Sequence, residues 1–210
     1  GLNGSDTLIS YVGSGVVGNC AQFANTTSLI SIPDNDSISF VNKDFSMSLW
    51  VKFDSILIDE TYGKIALIIS KRNTVTGNGI NNEYNMAVSG GLEYSTLFDS
   101  LNSSYTYKVS NSTPSTGVWY NYIMTYKSSR KSNGLHFYRN GIVIGSTNNS
   151  GDFVSMINGT SPLSLGQASW VSHNLRFIGK MCEFYIFDGD LSPEQALFVY
   201  NEGLAGRDLI

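Results

Sequence analysis

The sequence predicts an all-β fold, a two-sheet antiparallel β-sandwich with one short C-terminal helix. In residues 45–53 every odd position is apolar, whereas the even positions are serine, tryptophan and lysine. Successive side chains on a strand point to opposite faces, so this alternation predicts a strand with one face in a core. Asn140-Gly141 separates two apolar runs and predicts a β-hairpin with a type I′ turn. About a dozen strand-like segments with turn residues between them complete the prediction.

Further strands are predicted where short apolar or aromatic runs are bounded by turn residues. In chain order the predicted strands are 18–23, 28–32, 45–53, 65–69, 84–88, 92–98, 105–109, 119–126, 135–139, 142–145, 163–166 and 179–187. The uninterrupted apolar run at 65–69 fits a strand that is covered on both faces. Trp50 lies on the polar side of its strand, and we expect it to pack beneath a loop rather than against a sugar.

One helix is predicted near the C-terminal end. Ser192 supplies an N-cap hydroxyl, Pro193 occupies the first helical position, and Gln195 stands where it can reach back to the cap. Apolar residues at helical spacing follow, and Gly203 is expected to end the helix.

The amino-acid composition favours some classes of function and argues against others. Charged residues make up 14% of the chain, against about 25% in an average soluble protein. The polar surface is therefore built mainly from hydroxyls and amides, which is typical of secreted modules, lectins and virion surface proteins. A net charge of −4 without a basic run argues against a nucleic-acid partner. No apolar stretch approaches the ~20 residues that cross a membrane, so membrane insertion is not expected.

The length of 210 residues fits one large domain spanning 1–210. The opening Gly-Leu-Asn-Gly-Ser and the lack of a signal peptide suggest a domain cut from a longer protein.

Cys20 and Cys182 lie near opposite ends of the chain. Strand alternation places Cys182 on the same face as Phe184, whereas Cys20 lies opposite Ala21 and Phe23. Two buried free thiols are therefore expected at least as much as a disulfide. The cysteines thus do not decide between an oxidising and a reducing compartment.

Several short motifs occur in a fixed order along the chain. They are Gly-x-x-Ala-x-Phe at 18–23, Ile-x-Ile-Pro at 30–33, Phe-Ser-x-Ser-x-Trp-Val-Lys at 45–52, Trp-x-x-x-x-x-Thr-Tyr at 119–126, Tyr-x-Asn-Gly at 138–141, Pro-Leu-x-x-Gly at 162–166 and Leu-Ser-x-Glu at 191–194. Together they resemble the laminin-G-like jelly roll of the concanavalin A-like lectin/glucanase superfamily, over most of the chain. The resemblance implies a jelly-roll sandwich.

Some relatives bind calcium through acidic and carbonyl oxygens on loops. Here Lys127-Ser128 replaces an Asp-Gly found in many relatives, and Cys182 replaces an acidic residue. No cofactor is therefore expected, and calcium remains only an alternative. The candidate oxygen ligands are Asp34, Asp36, Asp188 and Asp190.

The superfamily also includes glycoside hydrolases and polysaccharide lyases. Retaining glycosidases need two carboxylates about 5 Å apart, which this scaffold usually supplies as Glu-x-Asp-x-x-Glu on one strand. That spacing is absent, as are the lyase pattern and a Gly-x-Ser-x-Gly motif. We therefore expect no enzyme activity.

Sugar sites on β-sandwiches combine aromatic rings with amides or carboxylates. The best candidate is the polar loop around Trp170, together with Gln167, His173 and Asn174. Tyr62, Tyr105 and Tyr107 are further candidates.

We hypothesise a non-catalytic carbohydrate-binding, lectin-like or adhesion module of an extracellular or virion surface protein, with a glycan or a cell-surface protein as partner. The alternatives are a structural or protein-interaction jelly roll without a sugar ligand, and an unrecognised glycoside hydrolase or polysaccharide lyase.

Overall fold

The computed structural model describes residues 3–13, 15–25, 27–56, 65–73, 81–167 and 176–209. Its strands are β1 Ser5–Thr7, β2 Ile9–Val12, β3 Cys20–Phe23, β4 Leu29–Ile32, β5 Phe45–Ser55, β6 Ile65–Lys71, β7 Tyr84–Ser89, β8 Leu92–Asp99, β9 Ser104–Val109, β10 Trp119–Tyr126, β11 Leu135–Arg139, β12 Ile142–Ile144, β13 Ser146–Ser150, β14 Leu163–Leu165 and β15 Ile178–Asp188. The α-helix α1 is Pro193–Leu204, and two 3₁₀ segments span Asp36–Ile38 and Ser128–Gly134.

The strands form two antiparallel sheets. The eight-stranded sheet has the order β1-β4-β14-β6-β7-β8-β9-β13, and the seven-stranded sheet has the order β12-β11-β10-β5-β15-β3-β2. Strands distant in sequence are neighbours, as where β5 lies between β10 and β15. The predicted all-β jelly-roll sandwich with one C-terminal helix is confirmed.

The core lies between the sheets and is centred on β5. The apolar side chains of its odd positions are fully buried: Phe45, Met47, Leu49, Val51 and Phe53. They share one cluster with Tyr84, Met86 and Val88 of β7 in the other sheet. Burial of each such side chain contributes about 1.5–3 kcal/mol, so the alternation seen in the sequence fixes the register of the central strand.

The outer face of the seven-stranded sheet is covered by α1. Ala196 and Val199 of the helix pack on Ile123 and Tyr138 of the sheet. The predicted capping box is present, because the Ser192 hydroxyl accepts from the Gln195 backbone N–H and Gln195 Oε1 accepts from the Ser192 N–H. The helix thus begins where the sequence predicts.

Trp50 lies beneath α1 with 4% of its surface exposed. Its ring stacks on Tyr200 with a centroid separation of 5.6 Å, and Gly203 lies so close to the indole that a Cβ there would collide with it. The expectation that Trp50 packs within the protein is confirmed, although the cover is a helix rather than a loop.

Of the two alternatives for the cysteines, the structure has the disulfide: Cys20 and Cys182 are bonded with a Cα–Cα distance of 4.7 Å, so the argument from strand parity against it is wrong. The register of β15 shifts between Cys182 and Tyr185, and Glu183 has a left-handed backbone conformation with φ 52°. This bulge adds one residue, so Met181 and Phe184 both face the core. Cys182 consequently points outward, beside Cys20, and joins the cluster around Trp50.

The predicted Asn140-Gly141 hairpin joins β11 and β12, and both turn residues have positive φ, 55° and 74°. Three edge strands are not predicted by the sequence: β1 and β13 contain only polar residues, and β2 is a short run of four residues in a segment rich in Gly and Ser. Within the described part of the chain, no helix has the length and apolar character needed to cross a membrane.

Candidate binding groove

The outer face of the eight-stranded sheet contains an open groove of about 330 Å³ over β6 to β9. Its floor includes Leu67, Ala87 and Thr96, and four aromatic residues form much of its lining: Tyr94, Phe98, Tyr105 and Tyr107. We call this feature the tyrosine groove. No α-helix covers this face, because the only helix of the described residues packs on the other sheet.

Strand register brings the groove residues together. Ala87 pairs with Tyr94, and Phe98 pairs with Tyr105 across neighbouring strands. Paired residues point to the same face of a sheet, as do alternate residues of one strand. Tyr105 and Tyr107 therefore lie on the same side as Tyr94 and Phe98.

The four rings form a continuous ladder. Tyr94 and Tyr107 have a centroid separation of 5.8 Å, Tyr107 and Tyr105 one of 5.9 Å, and Tyr105 and Phe98 one of 6.0 Å. Phe98 is buried, whereas the three tyrosines are only half-buried. Such rings can contact the apolar face of a pyranose while their hydroxyls hydrogen-bond its polar edge.

Arg72 lies at the end of β6 and also lines the groove. Its guanidinium carbon is 4.3 Å from the centroid of the Phe98 ring, which is a cation–π geometry. Burial lowers the pKa of Arg72 to about 10, so the side chain is still a cation at neutral pH.

A row of polar side chains crosses the sheet on the groove side. Register pairs Ser164 with Ser70, Ser70 with Asn85, and Asn85 with Thr96. Ser164 Oγ, Ser70 Oγ and Asn85 Oδ1 are buried without a hydrogen-bond partner in the described residues. Buried polar groups are normally paired, so the two serine hydroxyls can donate hydrogen bonds to, or accept them from, a ligand that reaches them, and Asn85 Oδ1 can accept one. Asn85 and Thr96 are the members of the row that line the groove.

Carboxylates are absent from the described lining of the groove. Glu93 of β8 faces the interior, where Tyr122 Oη donates to it at 2.6 Å and Arg139 binds both carboxylate oxygens at 2.9 and 3.0 Å. Glu93 therefore links the two sheets through these polar contacts.

Glu83 belongs to a buried ion cluster at one end of the sandwich. Lys71 Nζ lies 2.6 Å from Asp34 Oδ1 and 2.7 Å from Glu83 Oε1, and it donates to the carbonyl oxygens of Gly159 and Ser161. Burial raises the pKa of Glu83 to about 7, while Lys71 opposes the shift. We call this arrangement the Lys71 cage.

The other candidate metal ligands also have protein partners or stand apart. Asp36 accepts from Asn158, and Asp190 pairs with Lys127 at 2.9 Å, while Asp188 is exposed. The residues with described positions contain no group of three or more His, Cys, Asp or Glu side chains arranged to bind a metal. Calcium binding stays an untested alternative to the predicted absence of a cofactor.

The structure brings together part of the predicted sugar site. Tyr105 and Tyr107 lie in the tyrosine groove. Gln167 is half-buried, forms a β-bridge with Arg176 and is not among the described lining residues. The remaining candidates lie outside the described residues: Tyr62, Trp170, His173 and Asn174.

Sequence reasoning missed Tyr94, Phe98 and Arg72 as site residues. Tyr94, Thr96 and Phe98 stand two residues apart, a spacing that places them on one face of the predicted strand. Which face that is depends on pairing with β7 and β9, which the sequence alone does not supply.

Comparison with known proteins supports the fold. A laminin G-like family model, described as concanavalin A-like lectin/glucanases superfamily, matches residues 24–196. A comparison with curated proteins finds no match.

Solved structures share the fold at low identity. The binding domain of Paraclostridial Mosquitocidal Protein 1 is 16% identical with a TM-score of 0.74, and the match covers 96% of this chain and 47% of that one. The botulinum neurotoxin serotype G binding domain is 15% identical with a TM-score of 0.70, covering 95% and 46%. Domain 4 of AbnA, an extracellular GH43 arabinanase from Geobacillus stearothermophilus solved with arabinotriose, is 19% identical with a TM-score of 0.65, covering 94% and 87%.

The chain thus spans about half the length of the toxin binding domains that it matches. At these identities the likeness is one of fold. The family model, in contrast, matches most of the sequence and agrees with the two antiparallel sheets described above. The chain therefore belongs to the concanavalin A-like lectin/glucanases superfamily.

Proposed function

We propose that this chain is a non-catalytic carbohydrate-binding module that holds a glycan in the tyrosine groove. The observation that carries the proposal is the ladder of three half-buried tyrosines over an open sheet face. Half-buried rings at spacings near 6 Å offer a continuous apolar surface to consecutive faces of a sugar chain.

Polar groups of the groove fit the same ligand class. Asn85 Oδ1 is a buried acceptor without a partner in the described residues, and a sugar hydroxyl is a donor of suitable size. Thr96 and the tyrosine hydroxyls add groups that donate and accept. An apolar platform edged by neutral hydrogen-bonding groups is a common design for small-ligand sites.

The solved structures with this fold agree with a binding role. One is a domain of an extracellular arabinanase in complex with arabinotriose, and others are described as toxin binding or receptor-binding domains. The Cys20–Cys182 disulfide favours an oxidising compartment, since such bonds are rare in the cytosol. We therefore place the module in a secreted or surface protein, as one part of a longer polypeptide.

The proposal is tested by screening the protein on a glycan array and titrating the best ligand by calorimetry. Tyr107→Ala is expected to weaken binding by about tenfold, because the loss of one stacking ring removes roughly 1–2 kcal/mol. Tyr11→Ala is the matched control, because Tyr11 is 63% exposed on the seven-stranded sheet and remote from the groove.

Two results would contradict the proposal. One is the absence of binding to any glycan at millimolar concentration, which would favour a structural or protein-binding jelly roll. The other is the release of new reducing ends from a bound polysaccharide, which would show glycosidase activity.

A further inference from the structure

We infer that the tyrosine groove binds the interior of a linear glycan that runs parallel to β8 and β9, and that the edge strand β13 supplies one wall of this site. This inference deepens the proposed function and depends on it. It concerns the length and direction of the ligand, which the presence of half-buried rings alone does not determine.

The direction of the ligand follows from the order of the rings along the strands. Tyr107 of β9 pairs with Thr96 of β8, and Tyr94 stands two residues before Thr96. On the antiparallel strand Tyr105 stands two residues before Tyr107, so it lies on the other side of this pair. Side chains on one face of a strand recur about every 7 Å, so the three tyrosines span about 14 Å along the strands. A platform longer than one sugar ring favours consecutive residues of a chain over a single terminal sugar.

Polar residues flank the central ring on both sides. β7 lies beside β8 and contributes Asn85, which pairs with Thr96. β13 lies beside β9 and contributes Asn148, which pairs with Tyr107. Paired residues point to the same face of a sheet, so one row across the four strands contains Asn85, Thr96, Tyr107 and Asn148. A sugar residue that stacks on Tyr107 would therefore have an amide beside each of its two edges.

Asn148 has a hydrogen-bonding group available for this contact. Its side chain is half-buried, and its Nδ2 donates to the carbonyl oxygen of Ser146 at 3.2 Å. Its Oδ1 has no donor among the described residues, so this oxygen can accept a hydrogen bond from a sugar hydroxyl. Ser150 pairs with Tyr105 and continues the same wall along β13.

Walls on two sides restrict the shape of the ligand. When a chain lies along the strands, its glycosidic bonds point along the groove, whereas the remaining hydroxyls of its middle residue face β7 and β13. A branch on one of these hydroxyls would collide with a wall. The groove should therefore prefer unbranched chains, and it should bind internal residues as well as terminal ones.

The experiment uses a glycan array that carries linear glucose, xylose, mannose and arabinose oligosaccharides of one to six residues, together with branched glycans that end in the same sugars. The best series is then titrated by calorimetry. Affinity is expected to rise at least about tenfold from the monosaccharide to the trisaccharide, since each added residue gains a stacking contact. Beyond four residues it should stay constant, and the corresponding polysaccharide should bind equally well per binding segment.

Two variants of β13 test the proposed wall. Asn148→Ala is expected to weaken binding of the trisaccharide by about threefold to tenfold, because one hydrogen bond is lost. Asn149→Ala is the matched control, because Asn149 is the next residue of the same strand, is exposed and points to the opposite face. Circular dichroism spectra of both variants control for folding.

The inference is overturned if the monosaccharide binds as tightly as the trisaccharide, if the branched glycans bind more tightly than the linear ones, or if the two asparagine variants behave alike. If binding is independent of length but Tyr107→Ala abolishes it, the proposed function stands while this inference fails. If no glycan on the array binds, both fail together.

Discussion

Trp50 and Tyr107 both project from the outer face of a strand, but the protein covers one and leaves the other accessible. Trp50 is 4% exposed because α1 returns over the seven-stranded sheet and places Tyr200 and Gly203 against the indole. Tyr107 is half-buried in a groove that no helix of the described residues covers. An aromatic residue on the polar side of a strand thus does not by itself indicate whether it packs within the protein or contacts a ligand. What decides its role is whether a later segment of the chain packs on it.

The strongest test of this contrast is Trp50→Ala. Removing a large buried ring should lower the free energy of unfolding by about 3–5 kcal/mol, because α1 and the disulfide cluster lose their common contact. Urea denaturation followed by circular dichroism measures the change. A loss under about 1 kcal/mol would mean that α1 is not held on the sheet through Trp50.

The disulfide beneath α1 should have the next largest effect. A Cys20→Ala, Cys182→Ala double variant opens a link between residues 162 positions apart and should lower stability by about 2–4 kcal/mol. Glycan affinity should not change, because the bond lies on the sheet opposite the groove. The wild-type protein with and without reductant is the control, and an equal urea midpoint in both would contradict the prediction.

Alkaline pH should weaken the core between the sheets. Burial raises the pKa of Tyr126 from 10.0 to about 12, so the folded state favours the neutral phenol. The corresponding stability is fully present below pH 10 and is lost as the pH rises through about 12, a change of about 2–3 kcal/mol. Urea midpoints measured across this range should fall, and Tyr126→Phe should flatten the curve. An unchanged slope in Tyr126→Phe would assign the effect to other groups.

The smallest effect is expected for Tyr107→Ala. Because this ring is half-buried on an open face, its removal should change the free energy of unfolding by about 1 kcal/mol or less. The same urea assay applies, with Trp50→Ala for comparison. A loss of stability as large as that of Trp50→Ala would show that Tyr107 mainly stabilises the fold, so the two residues would not differ in role.

Much of the fold was predictable because local chemistry and tertiary structure agree. The alternation in β5, the Asn140-Gly141 turn and the Ser192 capping box each specify one conformation, and each is present. β13 was missed because Ser146–Ser150 contains no apolar residue, and the strand exists only through its pairing with β9. Strand alternation gives the wrong face for Cys182, because the bulge at Glu183 reverses the side of the sheet to which the preceding residues of β15 point.

The site was less predictable than the fold. The residue type alone marks Tyr105 and Tyr107 as candidates, and their location in one groove with Tyr94 follows from strand order. Arg72 stands three positions after the apolar run at 65–69 and has no special context in the sequence. Its cation–π contact with Phe98 arises because β6, β7 and β8 are neighbours in one sheet.

The Lys71 cage has a consequence for the environments in which this sandwich can work. Two carboxylates and two backbone carbonyls surround a single point of positive charge, much as they would surround a dissolved ion. Here the charge is tethered covalently to β6 and cannot diffuse away. That corner of the protein therefore keeps its charge balance in fluids that are poor in divalent salts or rich in chelators.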